Sequence, residues 1–317
     1  MKSICFFCHF HNGDVFHIKS FVKEVISEVN TKFYIAHPNN QIITSDLNIE
    51  YINIPYSNMS VNASKSRQNT TNNDHQKHID ILNNSEHSKF IDTPECLYIN
   101  TWIGGYFSPD NEYTGECSLR GFYRMFSFIY EKINEQFSTD LKLKSLEEYY
   151  PFVDYSKVDV SNIDSFLKKN TTEKVLVCNG PTLSQQTTYN SDMSEILNSI
   201  AEKNPDKTFI VTKKFSTHND NIVCSDEIIK ADNCDLNEIS YLSKFCKLII
   251  GKNSGPFCFT LTKENLNDES KTFFSFGSSE LQCLAYGMNP KCSFVYEYYE
   301  SIEKISKTIS ELLELIK

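Results

Sequence analysis

Short apolar runs alternate with amphipathic stretches along most of this chain, in the rhythm of strands and helices laid down in turn. The run from residue 3 to residue 10, SICFFCHF, has the character of a buried strand and ends in the polar turn His11-Asn12-Gly13-Asp14. Asp14 then opens a helix, because Val15, Ile18, Phe21, Val22, Val25, Ile26 and Val29 recur at three- and four-residue intervals up to Asn30. Phe33-Tyr34-Ile35-Ala36 returns as a second strand, and residues 49–53 supply a third. The opening segment therefore reads as a β-α-β unit feeding a parallel sheet.

From about residue 57 to residue 92 the pattern changes to a run of Asn, Ser, Thr, His, Lys and Asp, which predicts a low-complexity surface insertion. His75, His78 and His87 fall there by composition rather than as a ligand set. Order returns at Cys96-Leu97-Tyr98-Ile99-Asn100, a strand that runs into Thr101-Trp102-Ile103-Gly104-Gly105. A glycine pair beside the only tryptophan suits either a ligand-facing loop or a turn around a packed indole. A helix rich in aromatics follows over 118–137. Residues 141–170 break into shorter helical pieces with Pro151 between them, and this connector divides the chain into domains at 1–165 and 172–317.

The second block repeats the rhythm. Strands are expected at Lys174–Cys178, Thr208–Val211, Asn221–Cys224, Thr272–Phe276 and Cys292–Tyr296, with amphipathic helices over 192–203 and 302–316. Its central stretch is Asp235–Thr262. Leu236, Ile239, Leu242 and Phe245 keep helical spacing, Lys247–Ile250 is a buried strand, and Gly251-Lys252-Asn253-Ser254-Gly255-Pro256 turns into another helix. A glycine-containing turn leading into a helix, with a serine and lysines nearby, suits a phosphate as well as it suits simple packing.

Composition narrows the classes. A chain of 317 residues with 40% hydrophobic and 13% aromatic residues is expected to form two ordinary globular domains. A formal charge of -10 and a pI near 5.3 argue against a nucleic-acid or anionic-membrane partner. No stretch is long and apolar enough to predict a membrane span, and the first strand lacks the flanks of a signal peptide. The 11 cysteines are scattered through apolar runs and read as buried thiols, including the Cys5/Cys8 pair. The expected location is the cytoplasm.

Two motifs carry a resemblance. Gly251-Lys252-Asn253-Ser254-Gly255-Pro256, preceded by an apolar helix and strand, resembles the Gly-x-Asp-Ser-Gly-Pro donor-binding segment of the heptosyltransferase-like glycosyltransferases of family 9 type. Gly13-Asp14 resembles the Gly-Asp pair that opens that family's first helix. The resemblance implies the GT-B architecture: two Rossmann-like parallel-sheet α/β domains facing a cleft, with a C-terminal helix closing the chain. The N-terminal domain would face the acceptor and the C-terminal domain the nucleotide-sugar.

It also implies roles. Asp14 would be the general base in an inverting transfer, because a sugar hydroxyl becomes a good nucleophile only as its proton is taken. Ser254, Gly255 and Pro256, with Lys252 and Asn253, would hold the donor diphosphate, and Lys213 or Lys214 would add countercharge. Asn179, Gly180, Thr182 and Glu238 are further donor-side candidates, and Gly13, Trp102, Gly104 and Gly105 acceptor-side ones. Lysines and a helix terminus make a bound metal or other cofactor unnecessary, and no Asp-x-Asp motif stands out. The partners expected are a nucleoside diphosphate sugar and a saccharide or glycoconjugate acceptor. The chain departs from the family pattern at Asn253 and at Phe257-Cys258, where the family has Asp and His. Those departures keep a catalytically silent binding module in view, and a sugar-nucleotide epimerase shares the architecture. A dehydrogenase is disfavoured, since no Gly-x-Gly-x-x-Gly follows either opening strand. Asp14 also has a plain reading as a helix cap.

Overall fold

A computed structural model describes residues 2–38, 41–57, 75–83, 85–106, 118–181, 192–229, 235–253, 255–277, 283, 285, 286, 288–298 and 301–316. The chain forms two compact units. The first comprises Met1–Phe152 with Tyr286–Met288, the second Val153–Ala285 with Asn289–Lys317.

In the first unit, β1 (Ser3–Phe7), β2 (Phe33–His37), β3 (Glu50–Asn53), β4 (Phe90–Asp92) and β5 (Cys96–Asn100) form a sheet in the order β3-β2-β1-β5-β4. All pairs are parallel except β4 with β5. Strands β1, β2 and β5 are buried at every position, as near-continuous apolar runs in a parallel sheet must be. Helices α1 (Asn12–Glu28) and α3 (Leu119–Phe137) pack together through Phe21, which stacks on Phe126 and on Tyr149 at 4.4 and 4.1 Å between ring centres. Helix α2 (Gln76–Leu82) covers Cys5, Phe7, Tyr34 and Tyr98 with Ile79 and Leu82.

Part of the expected insertion over 57–92 is regular structure, the helix α2 and the strand β4. Residues 58–74 lie outside the described residues, but α2 and β4 are folded parts of the unit. His75 and His78 belong to this packing: His75 Nε2 lies 3.1 Å from Glu50, and His78 Nδ1 lies 2.9 Å from the Tyr98 hydroxyl.

One ion pair is enclosed here. Lys19 on α1 is fully buried, its Nζ 2.6 Å from Asp46 Oδ2, and the ammonium also lies 5.0 Å from the centre of the Phe152 ring. Removing one partner of a buried pair leaves the other charge desolvated and uncompensated. Lys19→Ala is therefore expected to cost about 3–5 kcal/mol, whereas replacing both residues by apolar ones of similar volume should cost far less. Urea unfolding followed by the fluorescence of Trp102, the only tryptophan, measures both. Equal losses in the single and double variants would contradict the argument.

The second unit opens with α4 (Ser161–Lys169) and is built on β6 (Glu173–Cys178), β7 (Lys207–Val211), β8 (Ile222–Cys224), β9 (Cys246–Gly251), β10 (Thr272–Phe276) and β11 (Ser293–Glu297). Every pair is parallel, in the order β11-β10-β9-β6-β7-β8. Numbered from its own first strand, that is the 3-2-1-4-5-6 order of a Rossmann sheet, whose direction of winding reverses between β6 and β9. One face is covered by α5 (Ser194–Lys203) and α10 (Ile302–Leu315), which bury Leu197, Ile200, Ile305 and Ile309 against Val175, Phe209, Ile250 and Phe274. Helices α6 (Ser225–Ile228), α7 (Leu236–Ser243), α8 (Gly255–Thr260) and α9 (Lys263–Leu266) complete the unit. Lys271 Nζ donates to the carbonyls of Ser243, Lys244 and Cys246, which satisfies the end of α7 and fixes the entry into β9.

Three expectations are revised. The division of the chain falls after Phe152, inside the 141–170 connector but ahead of the expected bounds at 165 and 172, because 153–170 packs with the second unit: Tyr155 bonds Ser240 at 3.0 Å and Tyr241 donates to Asp164 at 3.0 Å. Phe245 lies beyond the end of α7 and is exposed, so it is no part of that helix's apolar stripe. The helix after Pro256 spans only six residues, too short to supply much of a macrodipole.

Candidate functional site

The carboxyl edge of the second sheet gathers cationic side chains at the point where its winding reverses. Cys178 at the end of β6 is in register with Gly251 at the end of β9, and Val177 with Val211 at the end of β7. The next residues along, Asn179, Lys252 and Lys213, consequently emerge at one level. Gly251 is obligatory for that closeness, since a methyl group there would fall 2.8 Å from both Cys178 Cβ and Phe257 Cδ2.

Asn179, Pro181, Asp192, Ser194, Lys213, Lys214, Phe215 and Lys252 enclose a pocket of about 190 Å³. Asn179 shapes it, donating from Nδ2 to the Lys213 carbonyl and accepting the Lys213 N–H on Oδ1, both at 2.8 Å. Its amide is thus a clamp between two strand ends, a firmer role than the nucleotide contact expected of it. Lys214 is exposed and pairs with Glu227 at 3.0 Å. Asp192 accepts the Ser194 hydroxyl and, at 2.9 Å, the Ser194 N–H at the start of α5, and these bonds, the hydroxyl's first and the attraction of Lys213 last, lower its carboxyl below the usual range.

Lys252 stands apart from the other two lysines. It is 1% exposed and lies in no ion pair among the described residues. Burial pushes its ammonium below the ordinary lysine range, and repulsion from Lys213 pushes it the same way. Gly277, at the end of β10, has φ +76°, and a β-carbon there would sit 4.0 Å from Lys252 Cγ. The backbone thus turns closely over the lysine stem.

Other donor-side candidates are placed differently. Gly255 and Pro256 begin α8, and the Asn253 side chain is tied down, its Oδ1 accepting from Cys258 Sγ at 3.1 Å. Gly180 is open, with nothing within 4 Å of its β-position. Glu238 lies on α7 outside the pocket; burial, more than the neighbouring Asp235 and Asp159, raises its carboxyl. Ser254 and Thr182 lie outside the described residues. Sequence reasoning missed Asp192, Ser194 and Phe215, although an Asp two residues before a Ser at a helix start is a legible local turn.

In the first unit, α1 begins at Asn12, two residues earlier than expected, so Asp14 sits inside the first turn after Gly13. Its Oδ2 accepts the backbone N–H of His11 at 3.2 Å, closing the helix start. Burial raises the Asp14 carboxyl, while His11 pulls in the opposite direction. Around it, the end of β1 and the end of β2 bring buried histidines: His9 donates from Nδ1 to the Pro55 carbonyl at 2.9 Å, and His37 is 1% exposed. Trp102 resolves its two readings toward packing. Phe10 stacks on the indole at 4.0 Å, and a methyl group at Gly104 would fall 2.4 Å from Trp102 Cζ2. Gly104 is there to let the indole lie down, in the short turn Ile103–Gly105 that also contains Gly105.

A glycosyl transferase family 9 protein from Veillonella parvula DSM 2008 superposes with TM-score 0.51 at 13% identity, over 97% of this chain and 91% of that one. The E. coli heptosyltransferase WaaC with ADP superposes with TM-score 0.53 at 6% identity, over 99% of this chain and 100% of that one. The same enzyme with ADP-2-deoxy-2-fluoro heptose gives 0.51 at 7% identity, with the same coverage. The chain shares their fold. No protein-family profile and no curated protein sequence matches it. The two-domain α/β architecture that the motifs implied is thus present, with α10 as its last helix. No described helix is long and apolar enough to cross a membrane.

Proposed function

We propose that the protein is a glycosyltransferase that moves a sugar from a nucleoside diphosphate to a hydroxyl of a saccharide or glycoconjugate, with inversion and with lysines rather than a metal balancing the phosphates. The observation that carries the reading is the cationic pocket at the reversal point of a Rossmann-ordered sheet, the place where such sheets bind nucleotides. Lys213 and Lys252 supply charge toward the donor diphosphate, and Asn179 holds the Lys213 backbone in position. Asp14 takes the proton from the acceptor hydroxyl, and its raised carboxyl is suited to that work because a base is most effective when its pKa approaches the working pH. The fold shared with the E. coli heptosyltransferase WaaC, whose structures hold ADP and ADP-2-deoxy-2-fluoro heptose, supports the reading and makes ADP the first nucleotide to try.

Thermal unfolding with ADP, UDP, GDP and CDP in turn, without added metal, tests it. A nucleotide present at 100 times its dissociation constant should add about 2.7 kcal/mol of stability, and one base should do so far better than the rest. Absence of a shift with all four would remove the pocket as a donor site. A silent binding module remains the second reading, favoured by the engagement of Asp14 in closing its helix. In that case a nucleotide binds but no acceptor ever receives a sugar.

A further inference from the structure

Resting on the glycosyl-transfer reading, we infer that Glu86 selects the acceptor: a half-buried carboxylate at the carboxyl edge of the first sheet that receives hydroxyl or ammonium donors from a neutral or amine-bearing sugar and rejects an anionic one. The residue lies between α2 and β4, in the polar run whose composition alone suggests a surface insertion. It spans that edge. The Glu86 carbonyl accepts from Asn100 Nδ2, at the end of β5, at 2.8 Å, and its Oε1 accepts the hydroxyl of Ser57, past the end of β3, at 3.3 Å. The strand order places β1 between those two, and His9, just past β1, accepts the Ser57 N–H on its carbonyl at 2.9 Å. Asp14 lies on the same edge, in the first turn of α1.

Glu86 has no cation of its own. Among the described residues it forms no ion pair, and Ser57 is the donor to its carboxylate. Lys89, three residues on, lies over the Tyr106 ring instead, 5.8 Å from its centre. Nor does His9 supply the charge: burial lowers its imidazole, against the pull of its bond to Pro55 and of Glu86 itself. A neutral ring that donates from Nδ1 carries its lone pair on Nε2, which makes no hydrogen bond among the described residues. Both unsatisfied groups are therefore acceptors, one of them charged. A sugar hydroxyl brings the donor that is missing, and an ammonium brings a stronger, charge-assisted one. A uronate would set its carboxylate against Glu86 and Asp14, and like charges brought together at an interface are costly.

The test titrates the whole protein with the methyl glycosides of glucose, glucosamine and glucuronic acid, and with the matching galactose and mannose sets. Binding is read from the fluorescence of Trp102, the only tryptophan, whose indole lies 6.0 Å from the ring of His87, the residue next to Glu86. For the ring type that binds, the amino form should bind about tenfold more tightly than the neutral form, and the uronate at least about tenfold more weakly. Glu86→Gln keeps an oxygen for Ser57 and loses the charge, so it should bind all three forms alike. An unchanged order in Glu86→Gln overturns the inference, as would a wild type that prefers uronates or binds none of the glycosides. If Glu86 served only as a counter-charge to His9, the substitution would move the pH dependence of melting and leave the sugar order as it was. Thermal unfolding with the four nucleotides separates the two readings. A wild type stabilised by a nucleotide but indifferent to the charge of the glycoside keeps the transferase and loses Glu86. One that orders the glycosides and answers to no nucleotide keeps Glu86 as a sugar site and loses the donor pocket.

Discussion

Asp14→Asn is expected to abolish most turnover while leaving the protein folded. Asparagine keeps an oxygen at the position that accepts the His11 N–H, so the first turn of α1 stays closed. What is lost is the carboxylate, and with it the favourable charge at a helix start, worth about 0.3–1 kcal/mol. Stability should accordingly move by no more than that. Removal of a general base typically costs about 10²–10⁴-fold in rate, so kcat should fall by that factor with donor affinity unchanged. Asp14→Ala, in contrast, loses the base and the cap together and should be less stable as well as inactive. The wild-type rate should decline as pH is lowered through the carboxyl's raised pKa, since only the ionised form accepts a proton. An Asn variant that transfers sugar at the wild-type rate would leave Asp14 as a cap and nothing more.

Much of the scaffold is visible in the amino-acid pattern, and the reason is physical. Strands buried on both faces have to be largely apolar, so Leu248–Gly251 within β9 and Ile4–Phe7 within β1 stand out against polar turns. The helices α3, α5 and α10 show long apolar stripes for the same reason. The short elements do not announce themselves. Helix α2 has only seven residues and β4 three, and both lie beside an Asn- and Ser-rich run that masks them. Phe245 has the right spacing for α7 but falls after the helix has ended, because spacing does not say where a helix stops.

The site is legible in outline and not in its working parts. The turns after β6, β7 and β9 are recognisable as strand ends carrying Asn179, Lys213 and Lys252. That these three meet depends on strand order, which places β9 beside β6 with no signal in the local sequence. Lysine is ordinarily an exposed residue, and nothing in the string Gly-Lys-Asn distinguishes a buried Lys252 from a surface one. Trp102 and Gly104 show the opposite case. A glycine beside a tryptophan suggests a ligand loop, yet the distance from the glycine β-position to the indole shows that the glycine serves the packing.

Acid should unfold the first unit well before it reaches the range of ordinary carboxylates. His17 and His37 are both buried, and burial lowers each imidazole from its usual 6.5 to about 3. His17 lies between aromatic rings, Phe16 and Phe122, which offer a proton no partner. His37 has the Phe10 and His11 carbonyls nearby to favour the charged form, but His9 and His11 oppose it. The unfolded chain therefore takes up a proton at each site near pH 6.5, while the native one refuses it until near pH 3. Unfolded molecules bind more protons in that window, so stability rises with pH through it: it is complete above about pH 7 and is lost as pH falls from 6.5 toward 3. Two such sites give a slope approaching about 2.7 kcal/mol per pH unit, against a total stability on the order of 5–15 kcal/mol for a domain. Trp102 is the only tryptophan and belongs to this unit, so urea titrations followed by its fluorescence read the first unit separately. The midpoint should drop steeply between pH 6.5 and 4.5, and His37→Gln should remove about one proton from the slope. A midpoint that stays level across that range would show that both imidazoles accept protons in the folded state, and would overturn the account of their burial.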